Sequence, residues 1–290
     1  MWLYFFTGKK HKKVLSNAFR KDVLIDMAKR YKVNSLQGYQ KIVSPENSDM
    51  KNISFAVIKN PVNEKFNGNT GPEENVFIIT RGAIKFYLED KLWDELSRED
   101  VFQEPPSAVY LPPYSKYSIE FIEDGEICVA GCIATGKFRP QHIEKKHIRI
   151  KRAGENMYLR NFSEIIPEDF SAEKLIVGET ITDPGNWACY PPYKHDTDNP
   201  PEETALEKLC FFKITPDTGF GSIRIFNNIE DIIYLIKKDE VVTIPKGYHP
   251  ICVAPKHQMY YLWVMAGNTR KTISAIHPAY KFINKKHMTG

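Results

Sequence analysis

The chain has 290 residues, 42% hydrophobic and 26% charged, which excludes an intrinsically disordered protein and suffices for two ordinary domains or one large sandwich or barrel. Forty Lys and Arg against 36 Asp and Glu leave a formal charge of +4, too thin an excess for a nucleic-acid surface, and Lys9, Lys10, Lys12, Lys13, Lys285 and Lys286 read as solvated ends. The longest uncharged apolar run, 127–134, falls far short of the roughly 20 residues of a membrane helix.

The apolar start, Met1 to Phe6, has its basic residues after it, whereas a secretory signal carries them before. Residues 21–31 set Val23, Leu24, Met27 and Tyr31 at helical spacing and predict an amphipathic helix. After residue 40 the pattern is that of strands. The stretch 74–90, with Gly82 near its middle, predicts a strand, a tight turn and a second strand. Further β-rich runs at 108–121, 125–135, 222–226, 239–255 and 259–267 are broken by Gly, Pro and acidic residues, the punctuation of an all-β sandwich or barrel. The five cysteines, Cys128, Cys132, Cys189, Cys210 and Cys252, form no Cys-x-x-Cys pair and no disulfide framework, and Cys128 and Cys132 are expected to be buried free thiols. A cytoplasmic protein is expected.

An internal echo divides the chain. Val109-Tyr-Leu-Pro-Pro-Tyr-Ser-Lys-Tyr-Ser-Ile and Val242-Thr-Ile-Pro-Lys-Gly-Tyr-His-Pro-Ile-Cys share a strand, proline turn, strand order, each after an acidic turn. So long a period predicts two copies of a domain. The expected organisation is an N-terminal extension with one helix (1–40), a first barrel (41–160) and a second (161–290), with the boundary inside 150–172. No histidine occurs between His11 and His142, so the first barrel cannot hold a histidine-ligated metal and such chemistry is expected in the second. There His195 and His249 each follow a proline-constrained turn, a place that projects a side chain into a barrel mouth. A lone strand histidine is more often a hydrogen-bonded core or rim residue, and that reading stays open beside the functional one. His11, His142, His147 and His287 stand among charges and read as surface residues.

The strings 178–196 (Gly-Glu-Thr-Ile-Thr-Asp-Pro-Gly-Asn-Trp-Ala-Cys-Tyr-Pro-Pro-Tyr-Lys-His-Asp), Gly219-Phe-Gly, Pro245-Lys-Gly-Tyr-His-Pro250 and Tyr260-Tyr-Leu-Trp-Val-Met-Ala-Gly267 resemble the 5-deoxy-glucuronate isomerases of inositol catabolism. These are bicupins, similar also to the 5-keto-4-deoxyuronate isomerases of pectin breakdown. The resemblance runs from about residue 42 to 283. It implies two cupin barrels in tandem, a symmetric homodimer, and a small-molecule sugar acid as the partner, with no nucleic acid, membrane or organic cofactor. It further implies aldose–ketose isomerisation at a divalent metal (zinc, iron or manganese) in the second barrel. The family's metal set looks like a His-x-His pair, a glutamate on the next strand and a later histidine.

Here His195 and His249 match two of those positions, but Tyr193 stands for the first histidine and Lys208 for the glutamate. Ile223 stands where a glutamine is expected, while Arg224 beside it matches. A protonated lysine has no lone pair and repels a divalent cation. Three readings follow. Glu207 turns inward by a register shift and completes a metal set with His195 and His249. Alternatively, the barrel binds a sugar acid without catalysis, with Arg224, Lys208 and Lys194 on its carboxylate and Tyr193, Tyr260 and Trp263 as an aromatic wall. In the third, metal-free chemistry uses Lys208 with lowered pKa, beside Arg224, and His195 or His249 as proton shuttle.

Overall fold

A computed structural model describes residues 28–284, and strands dominate it. In chain order they are β1 Arg30–Lys32, β2 Gly38–Val43, β3 Ile53–Asn60, β4 Lys65–Asn69, β5 Glu73–Leu88, β6 Lys91–Arg98, β7 Ala108–Leu111, β8 Lys116–Phe121, β9 Gly125–Ile133 and β10 Gln141–Ile143. The second half supplies β11 Arg149–Ala153, β12 Arg160–Ile166, β13 Ile176–Thr182, β14 Trp187–Ala188, β15 Tyr193–Lys194, β16 Leu206–Thr215, β17 Gly221–Phe226, β18 Asp231–Ile236, β19 Glu240–Ile244, β20 Ile251–Val253, β21 Gln258–Gly267 and β22 Ala275–Ile276.

The two halves repeat one topology. The first sheet runs β10-β7-β5-β9-β3-β2 and the second β1-β19-β16-β21-β13-β12-β11, so that β3, β5, β7 and β9 correspond in order to β13, β16, β19 and β21. The echo between 109 and 242 falls on the corresponding strands β7 and β19. β11 pairs with β12 and so belongs to the second sheet.

Two expectations need correction. Residues 21–27 of the expected helix lie outside the described residues. Its last part is extended: β1 pairs antiparallel with β19, Tyr31 opposite Val241, because an open sheet edge offers backbone partners that outweigh a weak local preference. The predicted turn at Gly82 is likewise not a turn. β5 runs through it, paired with β7 and β9 before the glycine and with β6 and β8 after it. A bulge between Ile79 and Arg81 bends the strand from one sheet into the other. Gly82 has φ of 93°, and a Cβ there would lie 2.7 Å from the Asp124 carbonyl oxygen, so no other residue fits this corner.

Period-two alternation along β16 sorts its side chains between two cores. Leu209 and Phe211 face the first barrel, where Phe211 meets Phe55 with ring centroids 5.7 Å apart, while Cys210, Phe212 and Ile214 face inward. Buried ion pairs fasten the same interface. Arg98 makes a bidentate pair with Glu179 on β13, at 2.7 and 3.0 Å. Lys213 bridges Glu126 of the first barrel (2.7 Å) and Asp239 of the second (2.5 Å), and despite burial these lysines, Lys213 and Lys59, pull Glu126 down to about 2.

Candidate functional site

The first barrel is filled. Phe77 packs against Phe86 and Tyr117 at centroid distances of 5.3 and 4.7 Å, amid Ile58, Ile119, Phe121 and Val129. The second barrel instead keeps a cavity of about 220 Å3 whose walls include Arg160, Tyr193, His195, Lys208, Tyr261 and Trp263. A wider cleft of about 440 Å3 lies between the barrels, lined by Lys59, Glu126, Lys213 and Asp239, whose charges already pair with one another. The cavity in the second barrel is therefore the candidate site.

Each polar side chain there is held by its own strand or turn. Lys208 lies on the inward face of β16 and is 3% exposed. The His195 ring donates from Nδ1 to the Leu206 carbonyl at 2.8 Å, and His249 donates from Nδ1 to the Gly247 carbonyl at 2.9 Å. Both rings thus present an Nε2 lone pair toward the same space, with centroids 5.2 Å apart. The Lys208 ammonium donates to His249 Nε2 at 3.3 Å and to Cys189 Sγ at 3.6 Å, while His195 Nε2 is buried with no hydrogen-bond partner.

Cys189 sits in the turn between β14 and β15 at φ of 52°, an uncommon conformation for a residue with a Cβ. Its sulfur also accepts from the Tyr193 hydroxyl at 3.3 Å and lies 3.7 Å from that of Tyr261. Trp263 lies over Gly178, where a Cβ would come within 2.2 Å of the indole, and donates from Nε1 to Thr180 at 3.1 Å.

Charge and burial set the protonation states. Burial, then the nearby charges of His249 and Lys208, pushes His195 down to about 3, and burial with Lys208 does the same to His249, so both rings are neutral near pH 7. Burial opposes the Lys208 charge, but the facing Cys189 and Tyr193 outweigh it and hold the ammonium above its usual range. The lowered pKa expected of this lysine is thus reversed. Burial alone would raise the Cys189 thiol; Lys208 and Arg160 pull it below its ordinary value. Burial and Cys189 push Tyr193 up to about 12.

Of the residues singled out in the sequence, His195, His249, Lys208, Tyr193 and Trp263 meet here. Four others do not. Glu207 faces away from the cavity: β16 keeps an unbroken register with β21, and the Glu207 carboxylate accepts the backbone N–H groups of Lys51, Asn52 and Ile53 at 2.6–2.8 Å. Tyr260 lies on the opposite face of β21 from Tyr261 and Trp263, with Arg98 5.8 Å from its ring centroid. Arg224 is half-exposed and pairs bidentately with Asp231 at 2.7 and 2.8 Å. Lys194 is committed to Asp196 and Glu203, at 2.5 and 2.8 Å. Sequence reasoning missed Arg160, Cys189 and Tyr261. Arg160 stands outside the motif strings, and only strand pairing carries it to the cavity. No carboxylate among the described residues pairs with it.

The metal implied by the resemblance does not fit this donor set. Two imidazole nitrogens are available, but Glu207 is turned away and an ammonium stands beside His249. Among the described residues no group of three or more His, Cys, Asp or Glu side chains could hold a metal ion. Two unit charges 4 Å apart repel by about 4 kcal/mol at an effective dielectric of 20, and a divalent ion beside Lys208 would double that.

Residues 28–283 match the KduI/IolB family. The chain belongs to that family. It is 32% identical to a 5-deoxy-glucuronate isomerase from Geobacillus thermodenitrificans, over 79% of this chain and 85% of that protein. It is 30% identical to one from Bacillus subtilis, over 83% and 91%. Among solved structures, an IolB-like protein from Salmonella typhimurium superposes with a TM-score of 0.84 at 25% identity, covering 88% of this chain and 98% of the other. A Lactobacillus farciminis oxalate decarboxylase, 9% identical with a TM-score of 0.60 over 85% and 88%, shares the cupin fold alone. The related Bacillus subtilis oxalate decarboxylase is described by its Mn(II) centres. Family membership supports an isomerase, and the fold is all-β and cupin-like.

Proposed function

We propose that the second barrel isomerises a sugar acid between aldose and ketose forms, with a substrate of the 5-deoxy-glucuronate type named for the relatives. The observation that carries this reading is the neutral, unpartnered His195 Nε2 opening on a cavity that also holds two cationic side chains, Lys208 and Arg160. Arg160 takes the substrate carboxylate as a bidentate partner. His195 removes the proton from the carbon beside the carbonyl, and the Lys208 ammonium stabilises the negative charge that develops on the enediolate oxygen. The proton returns to the former carbonyl carbon while the hydroxyl proton moves to the other oxygen. The net change is a 1,2 proton shift that needs no oxidant. Tyr193 and Trp263 form the wall against which the sugar ring or chain lies.

The contact between Lys208 and His249 favours a second reading, because it occupies one of the two imidazoles: a barrel that binds a sugar acid without turning it over. A turnover assay on 5-deoxy-glucuronate decides between them. The isomerase reading expects activity in the wild type that falls steeply in His195→Ala, and an Arg160→Met variant whose KM rises more than its kcat falls. Binding detected by thermal shift with no turnover in the wild type would leave the binding protein.

A further inference from the structure

Three features of the cavity converge on one point. The Nδ1 atoms of His195 and His249 are committed to backbone carbonyls, at 2.8 and 2.9 Å, which aims both Nε2 lone pairs into the barrel as in a metal site. The glutamate that could join them, Glu207, is fixed on the other face of β16 by three backbone donors. Lys208 reaches the His249 Nε2 in the same cavity instead. Its ammonium is 3.3 Å from His249 Nε2, 3.6 Å from the Cys189 sulfur and 5.7 Å from the centre of the Tyr193 ring, which offers it a π-face.

We propose that the Lys208 ammonium is a built-in cation at the point where a divalent ion would sit, with the Cys189 sulfur and the His249 ring as its acceptors, so that this barrel works without a metal. The two histidines keep the orientation of ligands, but the His249 lone pair serves a tethered positive charge, and that of His195 is left free. A lysine supplies one charge where a metal supplies two, and it cannot be exchanged or chelated. The ligand it receives is an anionic oxygen, a carboxylate or an enediolate. The cavity's strong cations, Lys208 and Arg160, suit a substrate with one fixed and one developing negative charge.

Metal uptake tests this without reference to turnover, so its failure is distinct from failure of the isomerase reading. Wild-type protein equilibrated with zinc or manganese ions and then freed of unbound ion is expected to retain none at this site by elemental analysis. Near-stoichiometric retention that disappears in His249→Ala would overturn the proposal. Lys208→Glu replaces the cation by a carboxylate beside two preset imidazoles, and is expected to gain about one cobalt ion per chain, with the visible absorption of nitrogen-ligated cobalt. A folded Lys208→Glu protein, by circular dichroism, that takes up no cobalt would show that the histidines are not set for an ion and would equally overturn it. Should that charge reversal prevent folding, Lys208→Gln keeps the size and removes the charge. It is expected to bind cobalt more weakly than the glutamate variant but measurably above the wild type, and equality with the wild type would count against the proposal.

Discussion

The first and second barrels share strand order and even a matched pair of anchors, yet one is solid and the other hollow. Glu74, the second residue of β5, accepts the N–H groups of Glu173, Lys174 and Leu175 just before β13. Glu207, the second residue of β16, accepts those of Lys51, Asn52 and Ile53 at the start of β3. Each half thus holds a strand of the other, β13 or its counterpart β3, by a reciprocal clasp. On the inward face the likeness ends. Next to Glu74 stands Asn75, which turns back to its neighbours Glu73 and Glu74, and beyond it Phe77 closes the interior. Next to Glu207 stands Lys208, which reaches into the cavity. The residues that join the two halves are alike, and those that fill their interiors differ. A buried carboxylate with three backbone donors is costly to disturb.

Several substitutions would break or sharpen that contrast. The largest effect on turnover is expected from His195→Ala, which should lower kcat per folded molecule by about 10²–10⁴-fold in the turnover assay. Phe77→Ala should act on stability instead, costing about 3–5 kcal/mol in denaturant melts with kcat per folded molecule unchanged. Equal loss of activity in this variant would mean the first barrel contributes to the site. Arg98→Met leaves Glu179 buried and unpaired across the interface and is expected to cost about 3–5 kcal/mol, again read by chemical unfolding. Next come the clasps: Glu74→Gln and Glu207→Gln should each cost about 1.5–3 kcal/mol, and similar values would establish their equivalence. Were Glu207 a metal ligand, its variant alone would lose activity. Arg224→Ala should change stability by less than about 1 kcal/mol and leave turnover unaffected, because its pair with Asp231 is solvated.

Acid should distinguish the regions as well. His195 and His249 are depressed to about 3, so their contribution to stability is present above the ordinary histidine value and is lost as pH falls from about 6.5 toward 3. Glu126 is depressed to about 2, and its contribution is lost only below the ordinary carboxylate value. Acid titration followed by NMR of the histidine rings and of interface methyl groups should therefore show the second barrel loosening at higher pH than the contact between barrels.

The sequence by itself determined much of this protein. Short alternating runs with Gly and Pro between them specified an all-β fold, because period two is a local property of the strand. The echo between 109 and 242 marked two strands that occupy corresponding places in the two sheets, and the absence of histidine between His11 and His142 pointed to the second barrel. Motif resemblance brought His195, His249, Lys208, Tyr193 and Trp263 together. What only the tertiary structure decided is the direction of each side chain. Glu207 and Lys208 are adjacent, and which faces the cavity depends on the register of β16 against β21, set by backbone pairing across fifty residues of chain. Arg224 and Tyr260 fell out of the site for the same reason, one taken by Asp231 and the other placed on the far face of its strand. Arg160 and Cys189 entered it because strand pairing and a left-handed turn bring them to Lys208 from distant parts of the sequence. Neighbours that come from distant segments leave no local period or spacing to read.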